Sequence, residues 1–149
     1  MPNATQKSQN LTLNRRTSLV IAAVLLLVLG GVYFALRNSA STNPSLPLEV
    51  SVTEAADLRT DGAFILDVRL REEWDQQHIE GATLIPLGEL PNRLKEVPQD
   101  KPIVVVCRSG NRSAQARDIL LKSGFRQVTS MKGGIRDWMA AGLSVVTGQ

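Results

Sequence analysis

A single cysteine followed by two arginines is the feature of this sequence most suited to chemistry. The segment is Cys107-Arg108-Ser109-Gly110-Asn111-Arg112-Ser113, and Cys107 is the only cysteine among the 149 residues. A thiolate is a strong nucleophile, and neighbouring cations and backbone N–H groups favour it over the neutral thiol. The residue types therefore indicate nucleophilic chemistry, binding of an anion, or both.

The cysteine lies between a predicted strand and a predicted helix. Residues 103–106 are apolar and β-branched, which is typical of a buried strand, and residues 114–122 indicate a helix that ends at Gly124. The first amides of a helix have no intrahelical partner and carry partial positive charge. We therefore expect a lowered thiol pKa at Cys107. The alternative is an inert core cysteine, but the polar residues that follow disfavour it.

Composition excludes several other kinds of site. One cysteine cannot form an internal disulfide or a cysteine-rich metal centre, and one histidine, His78, disfavours a histidine-based metal centre and a Ser-His-Asp site. Residues 38–149 hold 13 of the 17 Lys and Arg and all 14 Asp and Glu, a balance of −1. We expect no metal, no cofactor and no nucleic-acid partner.

The N-terminal part has the composition of a membrane anchor. Residues 19–36 carry no charge, and a helix of that length can cross a hydrocarbon core of ~30 Å. Residues 1–18 are polar and basic, and residues 37–47 are a polar, proline-containing linker. The alternative for 19–36 is a cleaved signal peptide, whose apolar region is usually shorter, at ~7–15 residues.

Flanking charges predict the orientation of this anchor. Lys7, Arg15 and Arg16 precede the span, and only Arg37 closely follows it. Positive residues are enriched on the cytoplasmic side. We therefore expect a single-pass protein with a cytoplasmic N-terminus and a periplasmic or otherwise extracytoplasmic domain at residues 48–149.

Within residues 48–149, short strands alternate with short helices, which predicts an α/β fold with a mainly parallel sheet. We expect Thr53 to cap the first helix of this domain. The predicted strands are 48–52, 63–68, 82–85, 102–106 and 127–131, and the predicted helices are 54–60, 71–77, 88–97, 114–122 and 135–141.

Three motifs in this order resemble those of the rhodanese-domain sulfurtransferases. The cysteine segment resembles their active-site loop, and the other two motifs lie before and after it. They are Leu66-Asp67-Val68-Arg69 with Glu73-Trp74, His78-Ile79-Glu80-Gly81-Ala82 and Ile85-Pro86, then Gly133-Gly134-Ile135 with Trp138 and Ala141-Gly142-Leu143-Ser144-Val145. The resemblance implies a central, mainly parallel five-stranded sheet with helices on both faces.

The resemblance also implies a reaction and roles for the residues. Cys107 would take the sulfane sulfur of a donor such as thiosulfate as a persulfide, and cyanide or a thiol would then accept it. Arg108 and Arg112 would recognise the anion and brace the loop, while Asp67 and Arg69 would support it. The whole segment from Arg108 to Ser113, with Ser109, Gly110 and Asn111, would form the substrate-binding loop. The expected partners are small sulfur-containing anions or thiols, the membrane, and a possible protein sulfur acceptor.

Two other functions are compatible with the same residues. Cysteine phosphatases and arsenate reductases use a Cys-x5-Arg loop, whereas Arg112 here gives Cys-x4-Arg, a cradle better matched to a sulfur atom. A membrane-tethered sulfur carrier or sensor serving a partner protein is the second alternative. We expect His78, Trp74 and Trp138 to have packing roles, and Gly133-Gly134 to form a turn into a helix.

Overall fold

The computed structural model of the chain describes residues 45–148, together with Ile21, residues 24–28 and Gly30. Two compact units are distinguished, Met1–Asn43 and Pro44–Gln149. Ile21, residues 24–28 and Gly30 are helical, and the rest of the predicted span 19–36 lies outside the described residues, as do segment 1–18 and most of linker 37–47. Within the described part of the chain, no helix has the length and apolarity needed to cross a membrane.

Five strands form one sheet in the second unit, and every pairing between them is parallel. The strands are β1 Glu49–Val50, β2 Phe64–Asp67, β3 Thr83–Leu84, β4 Ile103–Val106 and β5 Val128–Met131. Their order across the sheet is β1-β5-β4-β2-β3. All four residues of the central β4 are buried, as expected for a strand covered on both faces. The predicted five-stranded parallel sheet is therefore confirmed.

Helices cover both faces of this sheet, as the resemblance implied. Alternate residues of β4 face opposite cores, because side chains alternate along a strand. The helices are α1 Val52–Thr60, α2 Arg71–Gln76, α3 Asn111–Lys122 and α4 Gly134–Ala140. Ile103 and Val105 join a core under α3 and the segment before β4, whereas Val104 and Val106 join a core under α1 and α4.

Two of the predicted helices differ from those observed. α1 is capped by Ser51 and not by Thr53, because Glu54 completes a capping box: its carboxylate accepts from the Ser51 amide at 2.8 Å. The predicted helix 88–97 is wrong. Two 3₁₀ turns, Leu90–Asn92 and Leu94–Glu96, replace it, because Pro91 has no N–H to donate and disfavours the α conformation at the preceding residue.

The helix after the cysteine begins earlier than predicted, and this shortens the loop that contains Cys107. α3 starts at Asn111, so only Cys107 to Gly110 connect it to β4. Asp67 at the end of β2 lies opposite Val106 at the end of β4. The carboxyl ends of β2 and β4 therefore meet at one edge of the sheet, where ligands bind in open α/β folds.

Candidate active site

The Cys107 sulfur is held by its own loop. Cys107 is only 1% exposed. The Gly110 amide donates to Sγ at 3.1 Å, and the thiol in turn donates to Ser113 Oγ at 3.6 Å. The Ser113 hydroxyl donates to the Gly110 carbonyl at 2.8 Å, which ties the first turn of α3 to the loop. The loop thus directs polar groups at one buried sulfur atom.

These polar groups lower the pKa of the thiol. Burial of the sulfur raises the pKa of Cys107, but the Ser113 hydroxyl and the backbone amides of Ser113, Ser109 and Gly110 outweigh it. The net effect is a pKa below the ordinary value for cysteine. Hydrogen bonds to the charged form favour that form, so the geometry favours a thiolate. The expectation of a lowered thiol pKa agrees with this arrangement.

Two glycines let the loop and the turn after β5 approach each other. Gly110 has φ +103°, in the left-handed region that glycine adopts without strain. Gly134 lies directly under the loop, since a Cβ there would be 2.3 Å from the Cys107 carbonyl oxygen. The Ile135 amide donates to that oxygen at 2.8 Å. The Gly133-Gly134 turn, interpreted from the sequence only as a helix entry, therefore also supports the cysteine loop.

Arg112 binds a carboxylate that the sequence analysis did not assign to the site. Its Nη1 and Nη2 donate to the two oxygens of Glu73 at 2.6 and 2.8 Å. This bidentate pair lowers the pKa of Glu73 to about 2, despite the opposing effect of partial burial. Arg112 therefore braces α3 against α2. The motif containing Glu73 was noted in the sequence, but no local pattern indicated its partner.

Asp67 and Arg69 form a buried ion pair at the end of β2. Arg69 Nη2 donates to Asp67 Oδ2 at 2.7 Å, and Arg69 Nε donates to both carboxylate oxygens at 2.9 Å. The remaining guanidinium donors bond the carbonyls of Glu73 at 3.2 Å and Gln77 at 2.8 Å. The pair thus ties the end of β2 to α2 and to Gln77, and the supporting role that the resemblance implies for both residues stays a prediction.

An open pocket of about 210 Å³ lies beside the loop. Arg108 lines it, whereas the Cys107 side chain does not. Ser109 and Asn111, the other predicted loop residues, are exposed. Gln76, Gln77 and Arg136 are lining residues that the sequence analysis did not single out. The polar lining consists of Arg69, Glu73, Gln76, Gln77, Arg108 and Arg136, and Ile135 and Met139 add apolar surface.

The histidine and the two tryptophans have packing contacts. The rings of Trp74 and His78 are stacked, with centroids 3.7 Å apart and planes 6° apart. The His78 backbone pairs with Val146 through two hydrogen bonds of 2.8 Å, and Trp138 Nε1 donates to the Ser144 carbonyl at 3.0 Å. Within the described ranges, no group of three or more His, Cys, Asp or Glu is placed to hold a metal ion.

Comparison with known proteins identifies the class to which this fold and site belong. Residues 51–141 match the family described as "Rhodanese-like domain". Because the match covers more than half of the chain, the protein belongs to this family. The resemblance inferred from the three motifs is confirmed.

Particular relatives agree with this class. A "Sulfurtransferase" of Allochromatium vinosum is 37% identical over 87 residues, covering 58% of this chain and 81% of the relative. The "Putative sulfur carrier protein YrkF" of Bacillus subtilis is 37% identical over 101 residues, which are 68% of this chain but 54% of that protein, so the chain spans about half its length. The crystal structure of a rhodanese-related protein from Thermoplasma volcanium superposes with a TM-score of 0.63 at 30% identity, covering 67% of this chain and 98% of that one.

Proposed function

We propose that this protein is a sulfurtransferase that moves a sulfane sulfur from a donor such as thiosulfate to a thiophilic acceptor. A persulfide on Cys107 carries the sulfur between the two. The observation that carries the proposal is the set of hydrogen bonds around a single buried sulfur, which lower its pKa without a basic side chain. Membership of the rhodanese-like family and the names of its relatives support it.

The proposed reaction has two displacement steps. In the first, the Cys107 thiolate attacks the outer sulfur of thiosulfate, a new S–S bond forms, and sulfite leaves with the electrons of the broken S–S bond. In the second, cyanide or a thiolate attacks the outer sulfur of the persulfide. The bond between the two sulfurs of the persulfide then breaks, and the Cys107 thiolate is regenerated. This covalent scheme predicts ping-pong kinetics.

The arrangement suits an anionic sulfur in both states of the enzyme. A persulfide anion places its charge on a second sulfur, and the loop amides that stabilise the thiolate are available around it. Neither step requires a proton from a side chain at the moment of attack. A lowered thiol pKa therefore provides the main activation.

The contacts of Arg112 disfavour the phosphatase alternative. A phosphate would need guanidinium donors directed into the loop, but both terminal nitrogens of Arg112 donate to Glu73. α3 begins at Asn111, so the loop before it is only four residues, Cys107 to Gly110. We expect no hydrolysis of an aryl phosphate that depends on Cys107. Robust turnover would overturn the sulfurtransferase proposal.

A dedicated sulfur carrier is the second candidate. The name of the Bacillus subtilis relative favours it, and Cys107 is suited to hold sulfur whether or not the acceptor is a small molecule. A carrier would form a stable persulfide with thiosulfate but turn over slowly with cyanide. Steady-state rates measured beside persulfide formation distinguish the two functions.

We further propose, from composition alone, that residues 19–36 anchor the chain and place the rhodanese-like domain outside the cytoplasm. The single cysteine gives a direct test in spheroplasts with a bilayer-impermeant thiol reagent. Labelling of Cys107 in intact spheroplasts supports the orientation. Labelling only after lysis would indicate the opposite orientation. Recovery of unprocessed protein in the soluble fraction would contradict the proposal that residues 19–36 anchor the chain.

Intact mass spectrometry of the full-length chain tests the central proposal. After incubation with thiosulfate we expect the mass of one added sulfur on the wild type, removed by cyanide. Cys107→Ser, which replaces only the sulfur atom, should gain nothing. The absence of any adduct with thiosulfate or polysulfide would rule out sulfur transfer.

A further inference from the structure

The pocket beside the loop is connected to Cys107 through the backbone. Arg108 follows Cys107 directly and lines the pocket. The Ile135 amide donates to the Cys107 carbonyl at 2.8 Å, and the Arg136 amide donates to the Arg108 carbonyl at 3.3 Å. Ile135 and Arg136 also line the pocket. The pocket therefore adjoins the backbone of the loop that carries the Cys107 sulfur.

Two of the four charged side chains that line the pocket are neutralised by partners within the protein. Arg69 is paired with buried Asp67, and Glu73 is paired with Arg112. Arg108 makes no ion pair within residues 45–148. Arg136 contacts Asp137 at 2.9 Å, but the two side chains are 67% and 46% exposed, so water screens the pair strongly. Two guanidinium groups, Arg108 and Arg136, thus remain available to an anionic ligand.

The pocket offers more room and a more varied lining than a small inorganic anion uses. Its volume of about 210 Å³ is many times the ~10–15 Å³ that one water needs by the same measure. The amides of Gln76 and Gln77 can donate and accept hydrogen bonds, and Ile135 and Met139 offer apolar contact. This lining suits an organic molecule that carries carboxylates. The two guanidinium groups can bind the carboxylates in a fork geometry, while the amides and the apolar side chains contact the rest of the molecule.

We propose that this pocket is a subsite for the carboxylates of an organic thiol that accepts sulfur from Cys107, with Arg108 and Arg136 as the carboxylate-binding residues. The proposal rests on the sulfurtransferase function above and names a class of acceptor for it. The acceptor thiolate attacks the outer sulfur of the Cys107 persulfide. One S–S bond forms in the product persulfide, the S–S bond to Cys107 breaks, and Cys107 leaves as a thiolate, with no net oxidation.

Acceptor kinetics of the full-length chain test the subsite. Mercaptosuccinate carries two carboxylates and 2-mercaptoethanol carries none. Arg136→Gln removes the charge and keeps a polar side chain. Arg126→Gln is the control. Arg126 is an exposed arginine that precedes β5, so it lies near the amino end of that strand, away from the cysteine loop at the carboxyl ends. For Arg136→Gln we expect KM for mercaptosuccinate to rise about three- to tenfold and KM for 2-mercaptoethanol to change less than twofold. Arg126→Gln should change neither value.

A second measurement does not depend on sulfur transfer. Succinate has the carboxylates of mercaptosuccinate without its thiol, and NMR can follow the arginine side-chain resonances of the full-length chain during titration. We expect succinate, but not neutral succinamide, to shift the Arg108 and Arg136 signals, and Arg136→Gln to weaken binding by a similar three- to tenfold factor.

The two measurements separate failure of the subsite from failure of the proposed reaction. Succinate binding that Arg136→Gln weakens would support the subsite even if Cys107 formed no persulfide. Sulfur transfer with equal KM changes for both thiols, or with none, would overturn the subsite and leave the proposed function intact. Absence of succinate binding to the wild type would also overturn the subsite.

Discussion

Ser113 gives the sharpest test of how the loop activates Cys107. Its hydroxyl is fully buried, 3.6 Å from Sγ, and donates to the Gly110 carbonyl at 2.8 Å. The hydroxyl has one proton, so turning it toward the thiolate breaks its bond to the Gly110 carbonyl. Ser113→Ala removes this donor and leaves the burial of the sulfur, which opposes ionisation. The pKa of Cys107 should therefore rise.

The magnitude follows from the two hydrogen bonds that exchange. A hydrogen bond to a charged group contributes about 1.5–3 kcal/mol, and a neutral one about 0.5–1.5 kcal/mol. The charged bond is therefore stronger than the neutral one by about 1 kcal/mol. Losing this difference in Ser113→Ala lowers the ionisation constant of the Cys107 thiol roughly fivefold. A more basic thiolate is also more nucleophilic, with a Brønsted coefficient of about 0.4–0.5, so the intrinsic reactivity of the thiolate rises about twofold.

These opposing effects predict a crossover with pH. Below the range in which the thiol titrates, Ser113→Ala should react about two- to threefold more slowly with iodoacetamide, because less thiolate is present. Above that range, where the thiol is fully ionised in both proteins, the variant should react about twofold faster. The assay is the rate constant of alkylation measured across the full titration of the thiol.

Ser123→Ala is the matched control. Ser123 follows α3, is exposed, and donates its hydroxyl to the Ile119 carbonyl at 2.8 Å, so the same deletion is made away from the sulfur. We expect the wild-type pH profile for it. If Ser113→Ala slowed alkylation by one constant factor at every pH, the hydroxyl would act on loop structure and not on ionisation, and the reasoning would be refuted.

The remaining predictions concern the supports of the loop. Glu73→Gln should lower the free energy of unfolding by about 1–2 kcal/mol in urea titrations at neutral pH, because it breaks a partly buried bidentate pair with Arg112. The pKa of Glu73 falls from 4.5 to about 2 on pairing, so its contribution is full above pH 4.5 and is lost as pH falls toward 2. The stability difference between wild type and Glu73→Gln should disappear over that interval, and a difference that persisted below it would contradict the pairing. Gly134→Ala should lower stability by about 2–3 kcal/mol and slow persulfide formation roughly tenfold or more, because the new Cβ would be 2.3 Å from the Cys107 carbonyl oxygen. Gly124→Ala is its control, with φ +96° but open space around the Cβ, so an equal loss of activity in both variants would exclude the close contact as the cause.

Local features of the sequence were sufficient to predict the strands of the sheet and to identify the candidate nucleophile. The run Ile103–Val106 is uniformly apolar, and a strand buried on both faces has no polar position to obscure its limits. The predicted helix 88–97 is wrong because the composition of this segment favours a helix, whereas Pro91 disfavours the α conformation at the residue before it. The S-x-x-E pattern from Ser51 to Glu54 is visible in the sequence and indicates this capping box, so Thr53 is the wrong cap.

The sequence by itself determined the candidate nucleophile and the groups that surround it along the chain, because Cys107, the loop amides and Ser113 lie within seven consecutive residues. Only the tertiary structure decided what holds that loop. Glu73 pairs with Arg112 across 39 positions, and Gly134 reaches the Cys107 carbonyl from beyond β5. Both contacts depend on the strand order β1-β5-β4-β2-β3, which places β2 and β5 on either side of β4. The pocket with Arg108 and Arg136 arises from the same order, since no local pattern brings a loop after one strand against the helix after the next.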